Sequence, residues 1–325
     1  MSHDFRTIVS PLKNRGLIDH HHKIMMVGSC FSDNIGKRLQ ESCFNVNINP
    51  FGTLYNPASI ACAINAIIKN SIFSIDNLFK HPEDNRWHSF MHHSSFSSID
   101  KHQMLEKINE KINEAHDSLK QASAIIITFG SAWVYKLKSN NQVVSNCHKL
   151  PQSTFNRILL SISEIVESWT EIITALNSYN DKIKIIFTIS PIRHKGDGLH
   201  GNQVSKSILH VAINELITHN DSLIYFPAYE IMNDDLRDYR FYASDMLHPS
   251  DIAIEYIYNL FSQSFMTEET ISIASECEKF TRRLNHKIMS DDIEAINRSQ
   301  NATNEIGVKL YNKYPFLKQV QSKIN

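Results

Sequence analysis

The stretch that decides the fold is Met25-Met26-Val27-Gly28-Ser29-Cys30-Phe31-Ser32. An apolar run ends at a glycine, and the residues behind it have helical spacing, so that Ile35 and Leu39 share one face. This pattern predicts a buried strand over Ile24–Val27, a tight corner, and a helix from about Ser32 to Glu41. Strand-to-helix corners of this kind are where nucleophilic side chains are commonly presented.

The same alternation of apolar runs and helical patterns continues along the chain. Further strands are predicted at Phe44–Ile48, Ala124–Thr128, Ile183–Ile189 and Leu223–Phe226, further helices at Pro57–Lys69, Lys101–Gln121, Ile158–Tyr179 and Gln203–Thr218, and a hairpin over Val134–Val144. Strands separated by helices need right-handed crossovers, which give a parallel sheet with helices on both faces. We therefore expect an α/β protein, a flavodoxin-like three-layer α/β/α sandwich on a mainly five-stranded parallel sheet.

Two segments fall outside this alternation. The stretch Ser71–Asp100 is irregular and too long for a simple connection, which indicates a rim or lid that contacts substrate. Residues from Thr267 onward are helical and charged, without further strand signal. The sequence thus predicts an α/β domain over residues 1–265 and a helical C-terminal extension over residues 266–325.

Composition excludes several classes of partner. A net charge of −1 over 325 residues, with acids and bases scattered along the chain, offers no basic face for nucleic acid. No run approaches the roughly 18–20 apolar residues of a membrane span, and the amino terminus lacks the apolar region of a signal peptide. The five cysteines lack a Cys-x-x-Cys pair, which argues against disulfides and structural zinc and favours a reducing cytoplasm. The oligomeric state is left open.

A second motif lies far along the chain, at Ser244-Asp245-Met246-Leu247-His248-Pro249. The carboxylate of Asp245 can hold the His248 ring in one tautomer, which leaves Nε2 to accept a proton from a nucleophile. The alternative is that Asp245 caps a helix beginning near Ser250.

Ligands of open parallel sheets bind beyond the carboxyl ends of the strands. That rule selects the segments following the five predicted strands, which are Gly28-Ser29-Cys30, Asn49–Gly52, Gly130–Trp133, Ser190–Arg193 and the loop that leads to His248. We expect these segments to face one crevice.

Several of these segments carry a family resemblance. Over roughly Ile24–Leu260 the chain resembles the GSCFA family, grouped within the SGNH (GDSL-like) hydrolase superfamily. The blocks that carry it are Gly28-Ser29-Cys30-Phe31-Ser32, with Ser32 in place of the final alanine, His93–Ser97, Ser190–His194 and Asp238–Tyr242. The resemblance implies an SGNH-like fold and hydrolysis of acetyl or other short O-acyl esters, often on carbohydrates.

The resemblance also implies roles for single residues. The nucleophile position falls on Cys30, a departure from the superfamily's serine, and a thiol at a helix amino terminus is expected to ionise easily. Ser29 is the competing nucleophile, and the absence of any covalent nucleophile is the third reading. Asp245 and His248 match the final Asp-x-x-His block, which favours their catalytic reading.

The oxyanion site departs further from the superfamily's pattern. Gly52 matches the glycine whose N–H joins that site, although a glycine also serves a tight turn. The side-chain donor of the superfamily's Gly-x-Asn-Asp block is missing from Gly130-Ser131-Ala132-Trp133, so that only the Ser131 hydroxyl is left to substitute for it. His93 and Arg193 lie in crevice loops as candidate substrate-binding residues.

Neither a metal nor a cofactor is expected. The runs His20-His21-His22 and His92-His93 place adjacent side chains that do not converge on one ion, and no carboxylate cluster accompanies them. The leading expectation is an ester hydrolase acting on a small-molecule or carbohydrate acyl ester. An acyltransferase using the same site, and a binding module that kept the fold without activity, are the alternatives.

Overall fold

The computed structural model describes residues 6–286 and 293–318. Its strands are β1 (Lys23–Gly28), β2 (Asn45–Ile48), β3 (Phe79–Lys80), β4 (Trp87–His88), β5 (Ala122–Phe129), β6 (Trp133–Leu137), β7 (Val143–Val144), β8 (Phe155–Leu159), β9 (Lys184–Ile189) and β10 (Leu223–Phe226). Its α-helices are α1 (Cys30–Glu41), α2 (Pro57–Ile68), α3 (Lys101–Lys120), α4 (Ile162–Tyr179), α5 (Gly198–Thr218), α6 (Ala228–Glu230), α7 (Asp251–Phe265), α8 (Glu268–Leu284) and α9 (Ile293–Lys313).

The central sheet has five parallel strands in the order β10-β9-β5-β1-β2. When these five strands are numbered 1 to 5 along the chain, their spatial order across the sheet is 2-1-3-4-5, which is the flavodoxin-like order. The predicted fold class is therefore confirmed. β1 lies between β2 and β5, with Gly28 paired to Thr128 at its carboxyl end. The first corner thus lies at the carboxyl end of an inner strand, one strand away from the edge strand β2.

Apolar side chains cover both faces of the sheet. One core lies between the sheet and helices α2, α3, α4 and α5, and it contains Met25, Val27 and Ile125. The other core lies between the sheet and helices α1 and α7, and it contains Ile24 and Ile126. Alternate residues of each strand therefore enter different cores, as expected for strands buried on both faces. This arrangement explains the continuous apolar runs of the strand sequences.

Side chains at the N-cap, the position just before the first helical residue, fix where several of the helices begin. Asn56 caps α2, Asp100 caps α3, and Ser161 forms a capping box with Glu164 at α4. The predicted helix Ile158–Tyr179 is wrong at its start, because Phe155–Leu159 forms β8 against β6 and the capping box begins the helix only at Ile162. The helix predicted from about Gln203 begins earlier, at Gly198.

The two segments outside the sheet pack on its flanks. Residues 71–100 form the β3–β4 hairpin and two short 3-10 helices, and the predicted hairpin over Val134–Val144 is present and is joined by β8. In the extension, α8 packs against α1 and α7, and Cys277 and Phe280 share a small core with Cys43. The division at 265/266 stays a prediction, and residues 287–292 and 319–325 of the extension lie outside the described residues.

Candidate active site

The corner after β1 separates the roles of Ser29 and Cys30. Gly28 has φ +148°, and a Cβ at this position would lie 2.3 Å from the carbonyl oxygen of Thr128, so only glycine permits the approach. Ser29 is 1% exposed and caps α1, its Oγ accepting the N–H of Phe31 at 3.3 Å. Cys30, the first residue of α1, is partly exposed. The thiol therefore reaches the surface, whereas the hydroxyl is buried in the helix cap.

The surroundings of Cys30 disfavour ionisation of its thiol. Burial raises the pKa of the Cys30 thiol, and the carboxylate of Asp33 raises it further. The backbone N–H groups of Cys30 and Phe31 and the charge of Lys206 act in the opposite direction, without cancelling the rise. The helix terminus therefore acts on this pKa in the expected direction, but burial and Asp33 outweigh it.

A polar network ties the loop after β2 to this corner. Asn49 accepts the N–H of Gly28 through Oδ1 at 2.8 Å and donates through Nδ2 to Asp33 at 2.6 Å. Thr53 donates to the other oxygen of Asp33 at 3.0 Å. The first and second sheet corners are therefore fixed to each other by side-chain amide and carboxylate bonds.

Gly52, on the loop after β2, and His93, in the segment between β4 and α3, lie against each other. The N–H of Gly52 donates to the carbonyl of Asn49 at 2.6 Å, and a Cβ at Gly52 would lie 2.3 Å from Cβ of His93. His93 caps the short 3-10 helix Ser94–Phe96, with Nδ1 accepting the N–H of Ser95 at 3.2 Å. The glycine thus serves a tight turn and a close approach, and its N–H is already engaged in that turn.

Ser131 is buried in the loop after β5. Its Oγ accepts the N–H of Trp133 at 3.2 Å and lies 3.3 Å from Oγ of Ser205, which itself accepts the N–H of Ala132 at 2.8 Å. The backbone N–H groups of Gly130 and Ser131 both donate to the carbonyl of Tyr55. The hydroxyl of Ser131 therefore joins this loop to α5.

Asp245 and His248 form a preassembled pair in the turn before α7. Oδ1 of Asp245 accepts the N–H groups of Leu247 and His248 at 2.9 Å each, and Oδ2 lies 2.5 Å from Nδ1 of His248. These bonds, the two backbone N–H groups first, lower the pKa of Asp245 to about 2. The capping alternative is wrong, because Ser250 caps α7. Across the described residues, no hydrogen bond joins His248 to Cys30, and the His248 side chain is 48% exposed.

Arg193 lies in a cavity of about 710 Å³ beside this turn. Its guanidinium donates to Oδ1 of Asn233 at 2.9 Å. The lining includes Tyr229, Tyr239, Tyr242 and Leu247, the neighbour of His248, but not Cys30, Gly52, Ser131 or His93. The structure therefore brings Arg193 and the His248 turn together at this cavity, and Cys30, Gly52, Ser131 and His93 lie outside its lining.

The sequence interpretation missed two buried polar residues on α5. Lys206 is fully buried, and its Nζ donates to the carbonyls of Gly130 and Ser190 at 2.6 Å each. Asn202, one turn earlier, accepts the N–H of His194 at 2.9 Å, while its buried Nδ2 has no hydrogen-bond partner. Lys206 could have been found as a polar residue on the apolar face of the predicted helix Gln203–Thr218, whereas Asn202 precedes the predicted start of that helix. No group of three or more metal-ligating side chains is present in the described part of the chain.

The fold and these residues define a three-layer α/β/α protein whose candidate polar groups lie at the carboxyl ends of its parallel strands. The model of the GSCFA family matches residues 23–261, and the chain belongs to the GSCFA family. No match was found among curated proteins. Within the described residues, no helix has the length and apolar character of a membrane span.

Solved structures of carbohydrate esterases are similar over most of the chain. A family 3 carbohydrate esterase from Clostridium thermocellum is 11% identical with a TM-score of 0.34, covering 78% of this chain and 97% of that one. A family 3 carbohydrate esterase from Talaromyces cellulolyticus is 10% identical with a TM-score of 0.36, covering 78% and 99%. An acetyl xylan esterase from Butyrivibrio proteoclasticus is 10% identical with a TM-score of 0.35, covering 79% and 67%. Such low identities and TM-scores carry no information on function.

Proposed function

We propose that this protein is an ester hydrolase that attacks short O-acyl esters with Cys30 and moves the proton with His248, oriented by Asp245. The observation that carries the proposal is the position of Cys30, partly exposed at the amino terminus of α1 and beyond the carboxyl end of the inner strand β1. Two backbone N–H groups at that terminus favour negative charge beside the thiol. Ser29 is the weaker nucleophile candidate because it is buried and caps the helix.

The reaction follows from these groups. Nε2 of His248 accepts the thiol proton as the sulfur forms a bond to the ester carbonyl carbon, and the first-turn N–H groups of α1 hold the oxyanion. The C–O bond breaks, the alcohol leaves with the proton from His248, and water then cleaves the thioester to the acid. Gly52 joins the oxyanion site only if its N–H exchanges its bond to Asn49.

The proposal requires movement of the turn that carries His248. No hydrogen bond joins this ring to Cys30 among the described residues, and catalytic hydrogen bonds commonly tighten only when substrate is bound. The turn is exposed, and Met246 within it has φ +61°. We propose that substrate in the crevice draws the turn, with its Asp245 brace intact, toward the thiol.

The cavity beside the turn is suited to hold the alcohol part of the ester. Tyrosine faces and hydroxyls, with the guanidinium of Arg193, give both apolar contact and hydrogen bonds, the combination that small polar ligands require. We propose that an O-acylated carbohydrate places its sugar here and its acyl group toward Cys30. His93, which lies against Gly52 from the segment between β4 and α3, is then left to contact the acyl side.

A binding module without activity is the second candidate. It is favoured by the raised pKa of the Cys30 thiol and by the absence of a Cys30–His248 hydrogen bond in the described residues. Such a module would keep the cavity and its tyrosines and would hydrolyse nothing.

Hydrolysis of p-nitrophenyl acetate separates the candidates. We expect Cys30→Ala to abolish turnover, His248→Ala to lower kcat by about 10²–10⁴-fold, and Ser29→Ala to lose about 1 kcal/mol of stability with turnover retained. The matched controls are Cys62→Ala, another partly exposed thiol, and His219→Ala, another exposed imidazole, and both should match the unsubstituted protein. Equal rates for Cys30→Ala and Cys62→Ala would refute the proposed nucleophile. Formation of an acetyl ester with added alcohol in place of acetate would indicate an acyltransferase.

A further inference from the structure

Two buried histidine rings join the β3–β4 hairpin to the connection between β7 and β8. The Nδ1 atoms of His88, on β4, and His148, in the connection, lie 2.9 Å apart, which is hydrogen-bond distance. On the far side of its ring, Nε2 of His88 lies 3.0 Å from Oδ2 of Asp84. Nε2 of His148 lies 2.8 Å from the carbonyl oxygen of Ser89. A chain of three contacts therefore runs from a carboxylate through two imidazoles to a backbone carbonyl.

Two neutral rings cannot make all three contacts, because each neutral imidazole carries only one N–H. The carboxylate of Asp84 and the carbonyl of Ser89 only accept, so each takes one ring N–H and leaves two bare Nδ1 acceptors 2.9 Å apart. The other neutral tautomers move this conflict to the carboxylate or to the carbonyl without removing it. The hydroxyl of Ser97 lies 2.8 Å from Nδ1 of His88, but it puts no proton between the rings. The three contacts therefore require a third ring proton.

The surroundings place the third proton on His88. Burial lowers the pKa of His148 to about 4, so this ring is the neutral acceptor at neutral pH. The N–H of Arg86 first, and then His88, lower the pKa of the Asp84 carboxyl, which keeps Oδ2 a charged acceptor. His88 then donates from both of its nitrogens. The other titratable or charged groups near the pair are His81 and Arg86 on the hairpin, His92 and His93 after β4, and Cys147 beside His148.

The spacing of the two rings fits a shared proton better than a bridging metal ion. Zinc held by two ring nitrogens at about 2.0–2.1 Å each, with tetrahedral angles, keeps those nitrogens about 3.3–3.4 Å apart. The Nδ1 atoms of His88 and His148 are closer than that, at the distance of an N–H···N hydrogen bond.

We propose that this pair is a pH-sensitive latch, in which one proton held between His88 and His148 fastens the β3–β4 hairpin to the small sheet β7-β6-β8. The latch is closed while the third proton is bound, and it opens as the pH rises and that proton is lost, because two lone pairs then face each other. The segment after β4 also places His93 against Gly52, so opening of the latch loosens the chain that lies against the second sheet corner. The inference does not depend on Cys30 or on ester hydrolysis.

Backbone hydrogen exchange measures the latch without an enzyme assay. The reporters are the N–H groups of Trp87 and Ser145, which donate to the carbonyls of Ser98 and Phe90 at 2.7 and 2.8 Å beside His88. Exchange is followed by mass spectrometry of the peptides that contain them and is corrected for the intrinsic rate at each pH. We expect protection to be at least about tenfold lower at about pH 9 than at about pH 6, since a hydrogen bond to a charged group is lost.

Asp84→Asn separates the latch from general loosening at alkaline pH. Its Oδ1 can still accept the N–H of Arg86, a bond of 2.9 Å in the unsubstituted protein, while an amide nitrogen replaces Oδ2 and donates to Nε2 of His88. Two neutral rings then satisfy all three contacts, so protection should be the same at both pH values. The control His219→Ala removes an exposed imidazole outside the pair and should keep the pH dependence of the unsubstituted protein.

Nitrogen NMR of protein with labelled histidine counts the ring protons directly and needs no stable variant for its main readout. At about pH 6 we expect one ring of the pair to be protonated on both nitrogens and the other to be neutral. The inference would be overturned by two neutral rings at that pH, by a stoichiometric metal ion in the purified protein, or by constant protection in the unsubstituted protein. An equal loss of protection in Asp84→Asn would overturn it as well.

Discussion

Replacing Gly28 by alanine tests whether the close approach of β1 and β5 sets the first corner. The added Cβ would lie 2.3 Å from the carbonyl oxygen and 2.9 Å from Cβ of Thr128, and φ is +148°. Overpacking against backbone costs about 1–3 kcal/mol, and an unfavourable positive φ costs about 1–3 kcal/mol. We therefore expect the free energy of unfolding to fall by about 2–6 kcal/mol, a large part of the roughly 5–15 kcal/mol of a typical domain.

Urea denaturation measures this loss, and two other glycines serve as matched controls. Gly198 has φ +68° with nothing within 4 Å of an added Cβ, so Gly198→Ala reports the backbone contribution alone. Gly196→Ala meets no atom within 4 Å and has no positive φ, so it should be neutral or slightly stabilising. The expected order of destabilisation is Gly28, then Gly198, then Gly196. A loss at Gly28 no greater than at Gly198 would refute the steric argument.

Acid and the Asp245 brace give two further predictions. Burial lowers the pKa values of four histidines to about 3 or 4, namely His92, His148, His194 and His210. Below about pH 6.5 the unfolded chain therefore binds more protons than the folded chain, and the free energy of unfolding falls as the pH is lowered. The midpoint of urea denaturation should fall steadily from about pH 6.5 to about pH 4.5. A constant midpoint over this range would contradict these pKa values. Asp245→Asn keeps an oxygen acceptor for the backbone of the turn but loses the negative charge beside Nδ1 of His248. Turnover of p-nitrophenyl acetate should therefore fall at least about 10²-fold, with little change in Tm. Unchanged turnover would show that Asp245 does not support His248 in the reaction.

The layered fold could be predicted because local patterns and one topological rule decide it. The inner strands β1, β5 and β9 are runs buried on both faces, and the crossover helices α2, α3 and α4 each begin at a side-chain cap, so both signals lie within short windows. β8 was missed because Phe155–Leu159 adjoins a strong helix and is extended only through its long-range pairing with β6. The start of α5 was missed because Gly198 and Gly201 weaken the helical pattern before Gln203.

The candidate site was predictable only where its contacts are local. The bond from Asp245 to His248 spans three residues, so the spacing alone indicated it. The role of Ser29 as a cap was not predicted, because the helix was expected to begin near Ser32 and not at Cys30. The hydrogen bonds of Lys206 join it to carbonyls 76 and 16 residues away along the chain, and no pattern in the adjacent sequence predicts these partners. A lysine on the apolar face of a helix is the one signal that sequence offers, because such a position is otherwise filled by residues like Leu209.

The two halves of the candidate site are held by different kinds of contact, one local in sequence and one long-range. The Asp245 pair is assembled by its own turn and does not depend on Cys30, whereas the thiol corner is fixed by Gly28, Asn49 and the network to Asp33. One half is therefore built into the sheet edge, and the other is carried on an exposed turn. Because movement of that turn breaks none of the bonds holding the thiol or bracing the imidazole, closure on a substrate needs only a change in the position of the turn as a whole. The mechanism proposed for this pair therefore requires no rearrangement inside either half.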